Sequence, residues 1–276
     1  MRMILLACLM ILSLRGQNAA EDSASILKQY DEAQKRNGER ANRYTYVEDV
    51  DYFKYDKNGQ ARKDRSETND VIFVEGESYK RLIARNGKPL DPREAAKEEK
   101  KMNQTAEQRR KERRSGSHEH TETLGSDDLR TLCDNRLVGE EELHGRKAWV
   151  IEYTPKKDHV PANQHEKDVF TTRTKVWIDQ AENVELKSLM TVVGEGSIMK
   201  PGTTITMEFA KINDDAWLPA SFIFDVRLQI PKLLKLTTGL KDAVRQETRY
   251  SNFRKFDVES TITSDDSAGD STGTKH

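Results

Sequence analysis

The chain has 276 residues, with 46 lysines and arginines against 47 aspartates and glutamates, for a formal net charge of −1. That balance supplies no positive field for a polyanion, so no nucleic-acid partner is expected. Its two cysteines, Cys8 and Cys133, make no disulfide framework, and stability has to come from a buried core.

The first residues read MRMILLACLMILSLRGQNAAEDS. Arg2 precedes an apolar run from Ile4 to Leu14, Ala19 and Ala20 are small, and the chain turns polar at Glu21. This is the pattern of a cleavable signal peptide over residues 1–20. The run is shorter than the roughly 20 apolar residues a membrane span needs. Cys8 lies inside the run rather than after it, so lipidation there is not expected. Removal of the segment leaves Cys133 alone, without a partner for an intramolecular disulfide. The expected location is the bacterial periplasm, as a soluble secreted protein.

Ser25 to Asn37 carries Ile26, Tyr30 and Ala33 on one helical face, and Gly38 is expected to end the helix. Tyr44, Tyr46, Val50 and Tyr52 then alternate as in a strand, with Glu48 as the exception. Asn58-Gly59 is a hairpin signal of the type I′ kind, in which both central residues need positive φ. Two further strand runs flank Glu75-Gly76, and Asn86-Gly87 closes that unit.

Residues 91–116 predict a long, charged helix. Asp91 fits the N-cap, Pro92 the first turn and Glu94 the third position of a capping box. Acidic residues gather early and basic ones late, which complements the helix dipole. Ala95, Ala96, Met102 and Ala106 are nearly all of its apolar face. The expectation is a loosely docked cover, able to move and weakly protected from hydrogen exchange.

SHEHTETLG reads as a loop, and Ser126 caps a short helix with Leu129, Leu132 and Cys133 on one side. From there to about Phe256 the pattern is nearly all strand. Trp149, Ile151 and Tyr153 share one face of RKAWVIEYTP, after which KKDHVPANQHEKD reads as a polar loop. A hairpin crosses Ala181-Glu182. Ile205, Met207 and Phe209 alternate with polar neighbours, as do Phe222, Phe224, Val226, Leu228 and Ile230. The last strand returns after Thr238-Gly239, and residues 259–276 read as a disordered tail. The pattern predicts a mainly β fold with accessory helices: one curved antiparallel sheet of roughly ten strands, since so many hairpin-linked strands curl rather than stay flat.

There is no G-x-S-x-G, H-E-x-x-H, P-loop or C-x-x-C pattern, so no catalytic residue, metal or cofactor is expected. The histidines (His118, His120, His144, His159 and His165) fall in segments read as loops and are expected to be solvated. Cys133 is expected as a small buried residue. The RRKERR run is balanced by EAAKEEKK through pairs such as Glu107 with Lys111, and reads as a solvated face before it reads as a peripheral membrane contact.

Several segments together resemble a known family. They are GESYKRLIARNGKPL with its charged helix, GEEELHGRKAWVIEYTP, Trp177-Ile178-Asp179 at a strand end, and Trp217-Leu218-Pro219 opening a strand. Over roughly Tyr44 to Phe256 the chain resembles the LolA/LolB-like periplasmic lipoprotein carriers. More narrowly, it is similar to secreted bacterial proteins described as outer-membrane lipoprotein-sorting-like. The resemblance implies an unclosed half-barrel of about eleven strands over residues 21–258, with the insertion 91–116 and a partial helical lid. It also implies a lipid, a lipoprotein acyl chain or a similar apolar ligand in the concave face.

The residues expected to line that face are Tyr44, Tyr46, Trp149, Ile151, Tyr153, Ile205, Met207, Phe209, Phe222, Phe224, Val226 and Leu228. The same residues suit an ordinary filled core. Two readings stay open: a non-enzymatic carrier or binding protein, and a structural or interaction component of the envelope that docks an envelope protein through its charged helix.

Overall fold

A computed structural model describes residues 23–115, 126–195, 198–230 and 243–256. The expected signal peptide, the SHEHTETLG loop, the Thr238-Gly239 turn and the expected tail lie outside the described residues. Eleven strands form one antiparallel sheet that does not close. In chain order they are β1 (Tyr44–Tyr55), β2 (Ala61–Val74), β3 (Glu77–Arg85), β4 (Lys88–Pro89), β5 (Cys133–Leu143) and β6 (Arg146–Pro155). β7 (Thr172–Asp179), β8 (Glu185–Val192), β9 (Thr204–Ile212), β10 (Ala216–Arg227) and β11 (Ala243–Lys255) follow. Among the described residues four helices accompany them: α1 over residues 23–41, α2 (Pro92–Ser115), α3 (Ser126–Leu132) and α4 (Gln164–Phe170).

The strand order is β4-β3-β2-β1-β11-β10-β9-β8-β7-β6-β5. The chain therefore enters the sheet in its middle and walks to one edge at β4. It then crosses by way of α2 and α3 to the opposite edge at β5. Seven strands return by a meander until β11 pairs with β1. This is the half-barrel architecture that the sequence resemblance implied.

Turn chemistry sets much of the register. Both central residues have positive φ at Glu75-Gly76, Asn86-Gly87 and His144-Gly145, as two-residue hairpins of this twist require. At Asn58-Gly59 only Gly59 does. There the expected type I′ geometry gives way to a loop organised by Asp56, whose Oδ1 accepts from the backbone N–H groups of Asn58 (2.9 Å) and Gln60 (3.0 Å).

Gly38 does not end α1. A glycine inside a helix costs about 1 kcal/mol relative to alanine, but tertiary anchors lie on both sides of it. Asn37 clamps the backbone of Trp217, donating to its carbonyl at 2.8 Å and accepting from its N–H at 2.7 Å. Arg40 donates to the Asp215 carbonyl at 3.1 Å. Ile26, Tyr30 and Ala33, the predicted apolar face, are all buried.

The segment read as a polar loop before β7 contains α4. Asn163 caps it, its side chain accepting from the N–H of Glu166 at 2.8 Å. Val169 is fully buried with Ile151 and Ile178, which is why so polar a stretch coils onto the sheet. α1, α3 and α4 lie on one face of the sheet, here the inner face. Their residues Ile26, Leu27, Tyr30, Leu132 and Val169 form one core with Ile151, Tyr153, Val176 and Ile178 of β6 and β7.

The charged helix α2 departs most from expectation. Asp91 caps it as predicted, with Oδ1 accepting from the N–H groups of Arg93 (2.8 Å) and Glu94 (2.9 Å). Glu94 does not close a capping box; it pairs with Arg85 at 2.8 Å instead. The helix is also fastened along its length. Glu98 is buried and accepts from the Tyr79 hydroxyl at 3.0 Å. Arg109 donates to the carbonyls of Val74, Glu77 and Ser78 at 2.9, 3.0 and 3.0 Å. Arg110 and Arg113 both engage the Glu75 carboxylate. Its hold on the sheet is thus electrostatic, where the sequence reading looked only for apolar contacts.

α2 is not a cover for the inner face. On β3, Tyr79 and Arg81 alternate with Lys80 and Leu82. Tyr79 meets α2, whereas Lys80 reaches Glu48 at 2.8 Å. Glu48 shares its side of β1 with Val50, which stands opposite Thr248, and Thr248 opposite Phe222. Phe222 faces Tyr30 of α1 across a cavity. α2 therefore packs on the outer face, behind β2 and β3. That face is polar where it is left open: Asp51 pairs with Lys63 and Arg249, Asp70 with Arg81 and Arg254, and Asp225 with Arg245.

Candidate functional site

Between α1, α3 and the inner face of β6 to β10 lies a cavity of about 420 Å³, within the range of pockets that take small ligands. Its wall is made by Tyr30 from α1, Leu129 and Arg130 from α3, and Tyr153, Thr174 and Val176 from β6 and β7. Glu185, Ser188 and Met190 of β8, Met199 from the segment between β8 and β9, Ile205 and Met207 of β9, and Phe222 of β10 complete it. Cross-strand register explains the grouping. Thr174 stands opposite Met190, Met190 opposite Ile205, Val176 opposite Ser188, and Met207 between Ser188 and Phe222. Three methionines in one wall give it a deformable, polarisable lining.

Of the twelve residues expected to line the concave face, Tyr153, Ile205, Met207 and Phe222 border this cavity. The others sit elsewhere for physical reasons. Ile151 is fully buried and Trp149 half-buried in the core beneath α1 and α4. Phe209 packs in a second core with Trp217 and Ala33. Phe224 stacks on Phe222 with ring centroids 6.3 Å apart, and Val226 is buried. Leu228 lies just beyond β10, bridged to Met199. Tyr44 is closed into a small cluster with Ala216 and Leu218, and its hydroxyl donates to Asp215 at 3.0 Å. Tyr46 packs edge-on against Tyr250, with ring centroids 5.5 Å apart.

No residue of β1 lines this cavity. Glu48 there is only 2% exposed, with one carboxyl oxygen on Lys80 and Oε2 unpartnered. Next along the inner face, Val50 stands between Glu67 and Thr248, and Tyr52 between Arg65 and Gln246. These polar neighbours divide the inner face into an apolar half at β6 to β10 and a polar half at β1 to β3.

The polar groups of the cavity are few and particular. The Tyr30 hydroxyl donates to Glu185 Oε2 at 2.8 Å and accepts from Gln34 Nε2 at 3.0 Å. Burial disfavours the charged form of Glu185 and raises its pKa, although hydrogen bonds from Ser188 and Tyr30 work the other way. Burial likewise pushes the Tyr153 phenol up to about 12. Arg130 makes a two-pronged ion pair with Asp31 of α1. The Thr174 hydroxyl is buried and has no hydrogen-bond partner. Sequence reasoning missed Tyr30, Glu185 and Thr174 as wall residues. The alternation Glu185, Leu186, Lys187, Ser188 hides the face because β8 bulges opposite Trp177 and Ile178.

The other chemistry-bearing residues are accounted for locally. Cys133 is buried, and burial followed by the neighbouring Asp134 pushes its thiol up to about 11, which keeps it protonated. His159 hydrogen-bonds Glu166 at 2.8 Å beside the α4 cap. Among the described residues no group of histidine, cysteine, aspartate and glutamate is placed to hold a metal ion. No described helix is long and apolar enough to cross a membrane.

The fold is an unclosed antiparallel half-barrel with helices and a cavity on one face. No family profile and no curated protein matches the sequence. Solved structures are similar to it at low identity. One is described as an outer membrane lipoprotein-sorting protein domain from Vibrio parahaemolyticus. It is 12% identical, with 83% of this chain and 91% of that one covered, at a TM-score of 0.39. A DUF1329 family protein from Desulfovibrio piger is 14% identical, over 86% of this chain and 95% of that one, with a TM-score of 0.35. A LolA superfamily protein from Nitrosomonas europaea is 13% identical, over 87% and 94%, with a TM-score of 0.30.

Proposed function

We propose that the protein is a non-enzymatic carrier or binding protein of the bacterial envelope that shelters an apolar chain, such as a lipid or a lipoprotein acyl chain, in the cavity under α1 and α3. The observation that carries this reading is the cavity itself. A wall rich in methionine, isoleucine, valine, leucine and aromatic side chains borders about 420 Å³ that the described residues leave open. Each methylene of a ligand moved from water into such a site contributes about 0.8 kcal/mol. The same observation favours this reading over the envelope-scaffold alternative, in which the inner face would be filled core throughout.

Native mass spectrometry of the purified protein, followed by solvent extraction, tests the proposal. A co-purified or added lipid should appear as a one-to-one adduct that extraction removes. A protein that takes up no lipid and no apolar dye would sink the reading.

A further inference from the structure

We propose that the cavity is built for an amphiphile whose inserted end carries an amine, and that Glu185 is the residue that selects it. This rests on the apolar-ligand reading above and adds the chemistry of the head to it.

Three observations carry the inference. First, Glu185 borders the cavity between the α1 and β8 walls, half-buried, so its carboxyl is partly withdrawn from water yet reachable by a ligand inside. Buried carboxyls are costly unless paired with a cation or well hydrogen-bonded. Its protein partners are hydroxyls, Tyr30 at 2.8 Å and Ser188, not a cation. Second, the one cation of the wall among the described residues, Arg130, is already engaged by Asp31 through both of its terminal nitrogens. An anionic head entering the cavity would meet Glu185 and find no free cation among the described residues of the wall. Third, the Thr174 hydroxyl lines the same cavity, is 5% exposed, and has no partner. It is a hydrogen-bonding position that the protein leaves open to the cavity.

The groups facing Glu185 from the surrounding elements are Tyr30 and Gln34 on α1, Arg130 with its Asp31 partner, Tyr153 on β6 and Ser188 on β8. Apart from the Arg130–Asp31 pair, all of them are uncharged. The local balance is one acid without a base. An alkylammonium supplies the missing positive charge and three N–H donors. The carboxylate and the neighbouring Ser188 hydroxyl offer acceptor oxygens. An alkanol supplies a hydroxyl only, and an alkanoate brings a negative charge beside Glu185 into a site of low dielectric where no described cation is free to meet it. The order of affinity is therefore amine, then alcohol, then carboxylate.

The test compares dodecylamine, dodecanol and dodecanoate, each below its micelle concentration, as displacers of Nile red from the full chain at neutral pH. Dodecylamine should bind at least about tenfold more tightly than dodecanoate. Glu185→Gln should weaken dodecylamine by about tenfold, while dodecanol changes by less than about threefold, which shows that the variant keeps its cavity. Equal binding of all three probes to the wild type, or an amine-to-alcohol ratio unchanged in Glu185→Gln, overturns the head-group inference while leaving the apolar-ligand reading standing. Failure of all three to displace the dye, or of the dye to bind, overturns both.

Discussion

Tyr30 and Glu185 stand 155 positions apart in sequence, and the tyrosine hydroxyl donates to the glutamate Oε2 at 2.8 Å. The bond joins the first helix to the eighth strand and fixes the side of the cavity on which the one acidic group lies. Tyr30→Phe removes the donor and leaves a buried acceptor short of a partner. The expected loss is about 1–2 kcal/mol of folding stability, read as a lowered urea midpoint with an unchanged m-value. An unchanged midpoint would mean that water already serves Glu185.

Glu185 also sets a pH dependence. Its pKa is raised on folding by burial, so the folded state holds this proton at pH values where the unfolded chain has released it. Stability from this group is then complete below the ordinary glutamate value and is lost as pH rises through the raised folded value. Glu185→Gln abolishes the dependence. The melting temperature of the variant relative to wild type should rise as pH increases above the ordinary glutamate value. A difference that stays flat would place the carboxyl in contact with bulk solvent.

Asp179 behaves in the opposite sense. Burial opposes its ionisation, but Arg146 (2.7 and 3.0 Å) and the N–H groups of Glu182 (2.7 Å) and Ala181 (3.0 Å) outweigh it and hold its pKa below the usual carboxylate value. Its contribution is present above the unfolded aspartate value and is lost as pH falls through the depressed folded value. Asp179→Asn, which leaves the Arg146 guanidinium half-paired at the β7–β8 turn, should cost about 3 kcal/mol by chemical denaturation. A cost below about 1 kcal/mol would put the pair in the class of solvent-screened surface bridges.

The outer-face position of α2 makes a further prediction. Arg109 joins three carbonyls of the β2–β3 hairpin, and Glu98 is buried on Tyr79. Amide hydrogen exchange should protect residues 92–109 about as well as β3. Arg109→Ala should lower that protection by about 2 kcal/mol without altering apolar-dye binding. A change in dye affinity would mean that α2 communicates with the inner face after all.

Much of the fold is legible in the sequence because the inner-face alternation of β6, β9 and β10 is clean and the hairpin dipeptides are explicit. The apolar face of α1 and the Asp91 cap of α2 are legible for the same local reasons. The positions of α2 and of the cavity are not, because they depend on long-range register. Arg109 reads as part of a solvated basic run until β2 and β3 bring three carbonyls to it. Glu48 was visible as the break in the β1 alternation, and it marks the boundary of the apolar half. Trp177-Ile178-Asp179 and Trp217-Leu218-Pro219, which carried the family resemblance, meet at one corner. Asp179 and Glu182 there share Arg146, and Glu182 accepts from the Trp217 indole at 3.1 Å. Those motifs hold the half-barrel together and lie outside the cavity wall.

Whether the cavity takes an apolar ligand is most directly measured by titrating Nile red into the wild-type protein and into Met207→Trp, in which the larger ring is placed in the wall opposite Ser188 and Phe222. The wild type should bind dye at a single site. The variant should melt within a few degrees of it and bind at least about tenfold more weakly. Equal binding by both proteins, or no binding by the wild type, would contradict the cavity as the site.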